Sequence, residues 1–199
     1  MSISGTQSYA GTGPLPPLVA AAVALADELA FPSSCRIEQG RLLMALAAGA
    51  TSDIGETGTG CGVGLAWLVT GRRPGVRVVS VERDAERAER AAELFAGVPD
   101  LEIVTGDWTL INERGPFDLL VVDGGGNGKK GGAAEPELVL RPGGTLVIDD
   151  FTPLAQWPPL HDGRPDTSRL HWLEHPALLA AEVRLAADLS TIVATRRPA

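Results

Sequence analysis

Glu56 followed by Gly58, Gly60, Gly62 and Gly64 is the stretch of this chain whose residue types and spacing point to chemistry. Glycine at every second position removes the Cβ and permits positive φ, so the backbone turns sharply and lets a ligand come close. The apolar run 63–69 behind it reads as a helix, whose first N–H groups have no partner inside the helix and face the loop. Together they predict a bound nucleoside cofactor. Glu82 ends an apolar strand 20 residues after Gly62, the position of a carboxylate that accepts hydrogen bonds from ribose hydroxyls, and Arg83 stands beside it on the cofactor side. The dinucleotide spacing Gly-x-Gly-x-x-Gly fails, because its third position falls on Val63, Leu65 or Trp67 according to the starting glycine. A nucleotide-phosphate cradle fails too, since no lysine followed by Ser or Thr lies in the loop. Glu56 agrees with both exclusions, for a carboxylate there suits an ammonium-bearing ligand and repels a pyrophosphate.

A second set of reactive side chains lies in 151–176, the segment predicted to cover the acceptor side. All three histidines are there, and His161, between Pro159 and Asp162-Gly163, is the candidate general base. His171 and His175 are four residues apart but lack a third ligand nearby, so no zinc site is predicted. Trp157 and Trp172 either line an aromatic pocket or pack this long loop onto the sheet.

The elements that must hold these residues alternate along the chain. Helices are predicted at 18–29 and 36–48, then strands at 54–56, 76–82, 101–104, 117–123 and 145–149, with helical stretches at 63–70, 84–95, 109–113 and 134–140 between them. Continuous apolar strands such as Leu119-Leu120-Val121-Val122 imply a parallel sheet buried on both faces. Two further runs, 182–186 and 189–195, are joined by about two residues, too few for a parallel crossover, so they form an antiparallel hairpin. The expected organisation is a mobile tail at 1–17 and one domain at 18–199. Within it, 18–50 holds the N-terminal helices, 51–150 the cofactor core, 151–176 an acceptor lid and 177–199 the hairpin.

Composition narrows the partners. A net charge of −8 works against a sequence-independent grip on nucleic acid, which leaves a small-molecule acceptor. Residues 18–29 are too few to span a bilayer, no basic leader precedes them, and no membrane association is expected. Cys35 and Cys61 have no metal-ligand spacing and suggest a reducing cytoplasm. The N-terminal helices either form a homodimer contact or fold back over the site.

On Glu56, Gly58, Gly60 and Gly62 the chain resembles the class I S-adenosylmethionine-dependent methyltransferases, whose first motif is an acidic residue followed by Gly-x-Gly-x-Gly. That resemblance implies a Rossmann-like α/β fold with a mostly parallel seven-stranded sheet and an antiparallel C-terminal hairpin. It also implies S-adenosyl-L-methionine as cofactor, with ribose on Glu82 and adenine near Asp107-Trp108. Within the superfamily the likeness is to the small catechol-type and caffeoyl-CoA-type O-methyltransferases. It rests on Gln39-Gly40-Arg41-Leu42-Leu43, on Asp123 ending strand four, and on Asp149-Asp150 after Arg141-Pro142-Gly143-Gly144. The resemblance implies a divalent cation, Mg, Mn or Ca, on Asp123, Asp149 and Asp150, with Asp149 catalytic through it and Asp123 otherwise on the cofactor side. Two positions depart from the pattern: Asp150 replaces an asparagine, and the lysine expected soon after Asp123 is displaced by Gly124-Gly125-Gly126-Asn127-Gly128 to Lys129 and Lys130. The implied reaction is methyl transfer to an oxygen of a small, aromatic or hydroxylated acceptor; the alternative is an inert cofactor-binding regulatory or scaffold protein.

Overall fold

Pro16-Pro17 opens the first helix, where a fixed φ suits a position whose N–H has no partner in the helix. Two helices, α1 (Pro17–Glu28) and α2 (Ile37–Ala47), precede the alternating part of the chain. There follow β1 (Asp53–Thr57), α3 (Val63–Gly71), β2 (Arg77–Glu82), α4 (Ala85–Leu94), β3 (Leu101–Thr105), β4 (Phe117–Val122), α5 (Pro136–Val139) and β5 (Leu140–Phe151). The chain ends with β6 (Leu160–His161), β7 (Arg164–Pro165), α6 (Thr167–Leu173), β8 (Leu178–Arg184) and β9 (Ser190–Arg196). This is a computed structural model, which describes residues 5–123 and 134–198, with the side chain at 150 outside the description.

Seven strands form one sheet in the order β3-β2-β1-β4-β5-β9-β8. The first five run parallel, and β9 and β8 reverse against β5, as the hairpin signal predicted. The order turns back between β1 and β4, and a crevice opens at the carboxyl ends of strands at such a switch point. Residues Leu119 to Val122 are all buried, in agreement with helices covering both faces. On one face Val19, Leu43, Ala47 and Trp67 pack against Ile54, Val78 and Leu119. On the other, Phe117, Leu120, Ile148 and the fully buried Trp172 form a second core.

Several boundaries moved, each for a local reason. Strand β5 begins at Leu140 rather than 145, because Leu140 pairs with Phe117 before Arg141-Pro142-Gly143-Gly144 loops out and the ladder resumes at Leu119–Thr145. Gly143, at φ +79, makes the turn. The hairpin connection spans 185–189, not two residues; the Leu185 and Ala186 N–H groups both donate to the Leu189 carbonyl, at 2.9 and 3.1 Å. The segment 151–176 is not wholly irregular, for it contains the small β6–β7 ladder and α6. Arg169 fastens α6 to β8 through an ion pair with Glu182 at 2.9 Å, with its guanidinium over the Phe151 ring.

The largest correction concerns the N-terminus, where a mobile tail was expected. From Gly5 onward it is held down. Thr6 to Tyr9 form a 3-10 turn, and the Tyr9 hydroxyl accepts from Trp67 Nε1 at 3.0 Å and donates to the Cys35 carbonyl at 3.0 Å. One tyrosine among Gly, Ser and Thr suffices because its ring buries apolar area while its hydroxyl still finds partners. No helix among the described residues is long and apolar enough to cross a membrane.

Candidate active site

The loop between β1 and α3 owes its shape to its glycines. Gly58, Gly60 and Gly62 have φ of +85, +55 and +85, a region that L side chains seldom adopt. A Cβ on Gly62 would lie 2.6 Å from the Phe95 ring, and one on Gly60 would lie 3.0 Å from Phe31. Glu82 braces the loop from the end of β2. Its Oε2 accepts from the Gly60 N–H at 2.7 Å, and its Oε1 accepts from the Asp84 N–H at 2.9 Å and from Arg87 Nη2 at 3.0 Å.

A cleft runs along this loop, lined by Glu56, Gly58, Thr59, Gly60, Cys61, Val63, Gly64 and Asp123 on the sheet side. Phe31, Ser33, Ser34 and Cys35, from the α1–α2 connection, close its other side. Glu56 is buried at 2 % exposure; its Oε2 accepts from the Ser80 hydroxyl at 2.5 Å, and a Cβ on Gly64 would sit 2.6 Å from its Oε1. Burial first, and then the charges of Asp123, Glu82 and Asp149, push the Glu56 carboxyl up to about 8. Among these neighbours Glu56 is therefore mostly protonated at neutral pH, not the standing carboxylate that the sequence suggested. Cys35 reports the same crowding, its thiol pushed well up by burial and then by Asp149, Asp123 and Glu56.

Asp123 follows β4 and lines the cleft, while Asp149, 4 % exposed, lies near the end of the neighbouring β5, where the β5–β9 ladder shifts register. The two are near enough to Glu56 and Cys35 to raise both. The Asp150 side chain, Gly124 to Gly128, Lys129 and Lys130 lie outside the described residues.

Other expected residues are not among those that line this cleft. Gly62 caps α3 rather than lining the cleft. Arg83 is exposed, and the cation on Glu82 is Arg87. Asp107 is an exposed cap whose Oδ1 accepts from the Thr109 N–H and hydroxyl at 3.1 and 2.8 Å, while Trp108 is half-buried against the second core. His161 sits in the β6–β7 ladder with its side chain 79 % exposed, 3.7 Å from Asp162, and is not among the cleft residues, so the structure does not support it as the base. Trp157 is also exposed, and Trp172 is core. Among the described residues, the group within metal-ligand reach is Glu135, Glu137 and His175, away from the cleft; His175 Nδ1 there accepts from the Ala177 N–H at 3.2 Å.

Sequence reasoning missed Phe31, Ser33, Ser34, Cys35 and Arg87. The first four carry no motif and reach the cleft only because α1 and α2 fold back over it. Arg87 was legible in principle, since Asp84 is a good N-cap and Arg87 three residues on lies one turn into α4.

No protein-family model matches the chain. A catechol O-methyltransferase of Mycobacterium tuberculosis is 32% identical over 142 residues, which cover 67% of this chain and 64% of that relative, so the chain spans less than two thirds of its length. Among solved structures, the cofactor-bound Rv0187 from MTB matches with a TM-score of 0.77 and 26% identity, over 97% of this chain and 95% of that one. The O-methyltransferase TomG from Streptomyces achromogenes, in complex with SAM, matches with a TM-score of 0.75 and 21% identity, over 97% and 95%. An O-methyltransferase from Bacillus cereus in complex with SAH matches at 0.73 and 20%, over 97% and 96%; at such identities these two show a shared fold alone. The strand order, the reversed β9 and the acid-led glycine loop at the first crossover are thus accompanied by likeness in sequence, and the chain is similar to the S-adenosylmethionine-dependent methyltransferases, among them the small O-methyltransferases.

Proposed function

We propose that the protein transfers a methyl group from S-adenosyl-L-methionine to an oxygen of a small hydroxylated acceptor. The observation that carries this reading is the cleft itself: a glycine loop at the switch point, a ribose-type carboxylate bracing it, and acidic side chains at the ends of β4 and β5 beside it. The solved relatives carry SAM or SAH in the same fold, which supports the choice of cofactor.

The methionine part fits against Gly58, Gly60 and Glu56, the ribose against Glu82, and the adenine toward Asp107 and Trp108. The acceptor oxygen attacks the methyl carbon while the carbon–sulfur bond breaks and its electron pair goes to sulfur. Most of the protein's work is then to align the two reactants and to ease loss of the acceptor's proton. Asp123 and Asp149, oxygen donors on adjacent strands crowded enough to raise Glu56, fit a hard divalent cation, with Asp150 as the further ligand proposed. Such an ion would lower the pKa of a bound hydroxyl. Methyl transfer from labelled S-adenosylmethionine to a catechol tests the reading. We expect turnover to fall at least about tenfold on chelation and in Asp149→Asn; full activity in both would remove the cation and leave the transfer standing.

Glu56 supplies a test that needs no acceptor. Its folded pKa of about 8 lies above the ordinary 4.5, so its contribution to stability is full below the unfolded value and is lost as pH rises from there through about 8. The cofactor's ammonium beside Glu56 favours the ionised form, so binding at pH 7 should release a proton, about one at most. Titration calorimetry in buffers of different ionisation enthalpy measures this, and Glu56→Gln should abolish it. Equal heats in all buffers would show that Glu56 does not meet the ammonium.

The same reading carries a small-molecule acceptor rather than nucleic acid, in keeping with the net charge of −8, and a cytoplasmic setting, in keeping with two cysteines that have no metal-ligand spacing.

A further inference from the structure

Glu82 has little room for a ribose as it stands. Its Oε1 already accepts two hydrogen bonds, from the Asp84 N–H and from Arg87 Nη2, and its Oε2 accepts one from Gly60. A carboxylate has about four lone-pair sites, so one is left where a ribose diol would use two. The two backbone donors belong to the loop and to the start of α4, and they are part of the fold. Arg87 is the donor that can leave.

Where Arg87 would go is visible. Its Nη1 is 3.3 Å from Asp84 Oδ2, its side chain is 31 % exposed, and its guanidinium lies over the Phe31 ring, 5.1 Å from the centroid. Phe31 in turn lines the cleft above Gly60. Arg87 thus joins the floor of the ribose position, Glu82, to the segment that covers it. It also gives the buried Glu82 carboxylate, 7 % exposed, a cationic partner, without which the buried charge would be costly.

We propose that Arg87 is a gate on the ribose carboxylate: it competes with the ribose for Glu82, yields that place when the cofactor binds, and by this competition sets the affinity for cofactor. The inference rests on the proposed placement of ribose at Glu82. On binding, one charge-assisted contact is exchanged for hydroxyl donors, Arg87 retires to Asp84, and its hold on Phe31 loosens. The gate holds affinity below what the cleft would otherwise reach, and so favours release of the spent cofactor.

Titration calorimetry with S-adenosylhomocysteine and with 5′-methylthioadenosine, which keeps the ribose but carries no amino-acid charge, tests this on the full chain. Arg87→Met keeps the length of the side chain over Phe31 and removes the charge, and it should bind both ligands about fivefold more tightly than the parent. Arg87→Lys should fall between. Urea unfolding of each variant checks that the fold is intact. Unchanged or weaker binding by Arg87→Met would overturn the gate while the cofactor reading stands. A gain for S-adenosylhomocysteine alone would also overturn it, by placing the effect at the amino-acid end. If the parent chain bound neither ligand, the cofactor reading itself would fail.

Discussion

Glu82→Ala is expected to weaken binding of S-adenosylhomocysteine by about a hundredfold or more, the largest effect on the cofactor from any one side chain. Hydrogen bonds to a charged acceptor contribute roughly 1.5–3 kcal/mol each, and two to a ribose diol amount to about 3–6 kcal/mol, a factor of at least about a hundred. The change also removes the brace from the Gly60 N–H and leaves Arg87 without its inner partner. Glu82→Gln separates the two losses, since the amide oxygen can still accept from Gly60 but offers a neutral acceptor to the ribose. An alanine variant that binds within threefold of the parent would place the ribose elsewhere.

The largest effect on stability is expected at Gly71, the last residue of α3. A Cβ there would lie 2.1 Å from the Met44 carbonyl oxygen and 2.8 Å from the Met44 Cα and carbonyl carbon, all backbone atoms of α2. No rotamer relieves a clash between backbones, so α2 and α3 would have to separate. Gly71→Val should lower stability by about 3 kcal/mol, the upper end of overpacking. In a chain of this size that is a fall of roughly 6–12 °C in Tm. The consequence reaches the cleft, because α2 also carries Gly40, where a Cβ would come within 2.1 Å of Trp67 Nε1, the donor that holds Tyr9 and the N-terminal segment. A Tm within 2 °C of the parent would show that the helices can shift without cost.

Much of the fold was legible because parallel strands covered on both faces read as unbroken apolar runs, and helices between them read by their period. Leu119 to Val122 is such a run, Val78 to Val81 is interrupted only by Ser80, and both are buried strands. The acid–glycine loop was legible for a different reason: positive φ at three alternate positions can hardly be met without glycine, so the backbone requirement is written in the residue types. Boundaries were less so. The start of β5 at Leu140 depends on a bulge opposite Phe117, a matter of two strands and not of one.

The site divides along the same line. Sequence by itself determined the loop, the carboxylate at the end of β2, the acids after β4 and in β5, and the reversed hairpin, since each is a local requirement of turn, strand end or connection length. Tertiary structure alone decided that Glu56 is buried and raised to about 8, that Arg87 and not Arg83 meets Glu82, and that His161 faces solvent. It also brought Phe31 and Cys35 over a loop more than 20 residues away and fastened Tyr9 beneath Trp67. Proton affinity, partner choice and cover depend on what approaches a side chain from other elements, and that is settled only when α1, α2 and the sheet pack together.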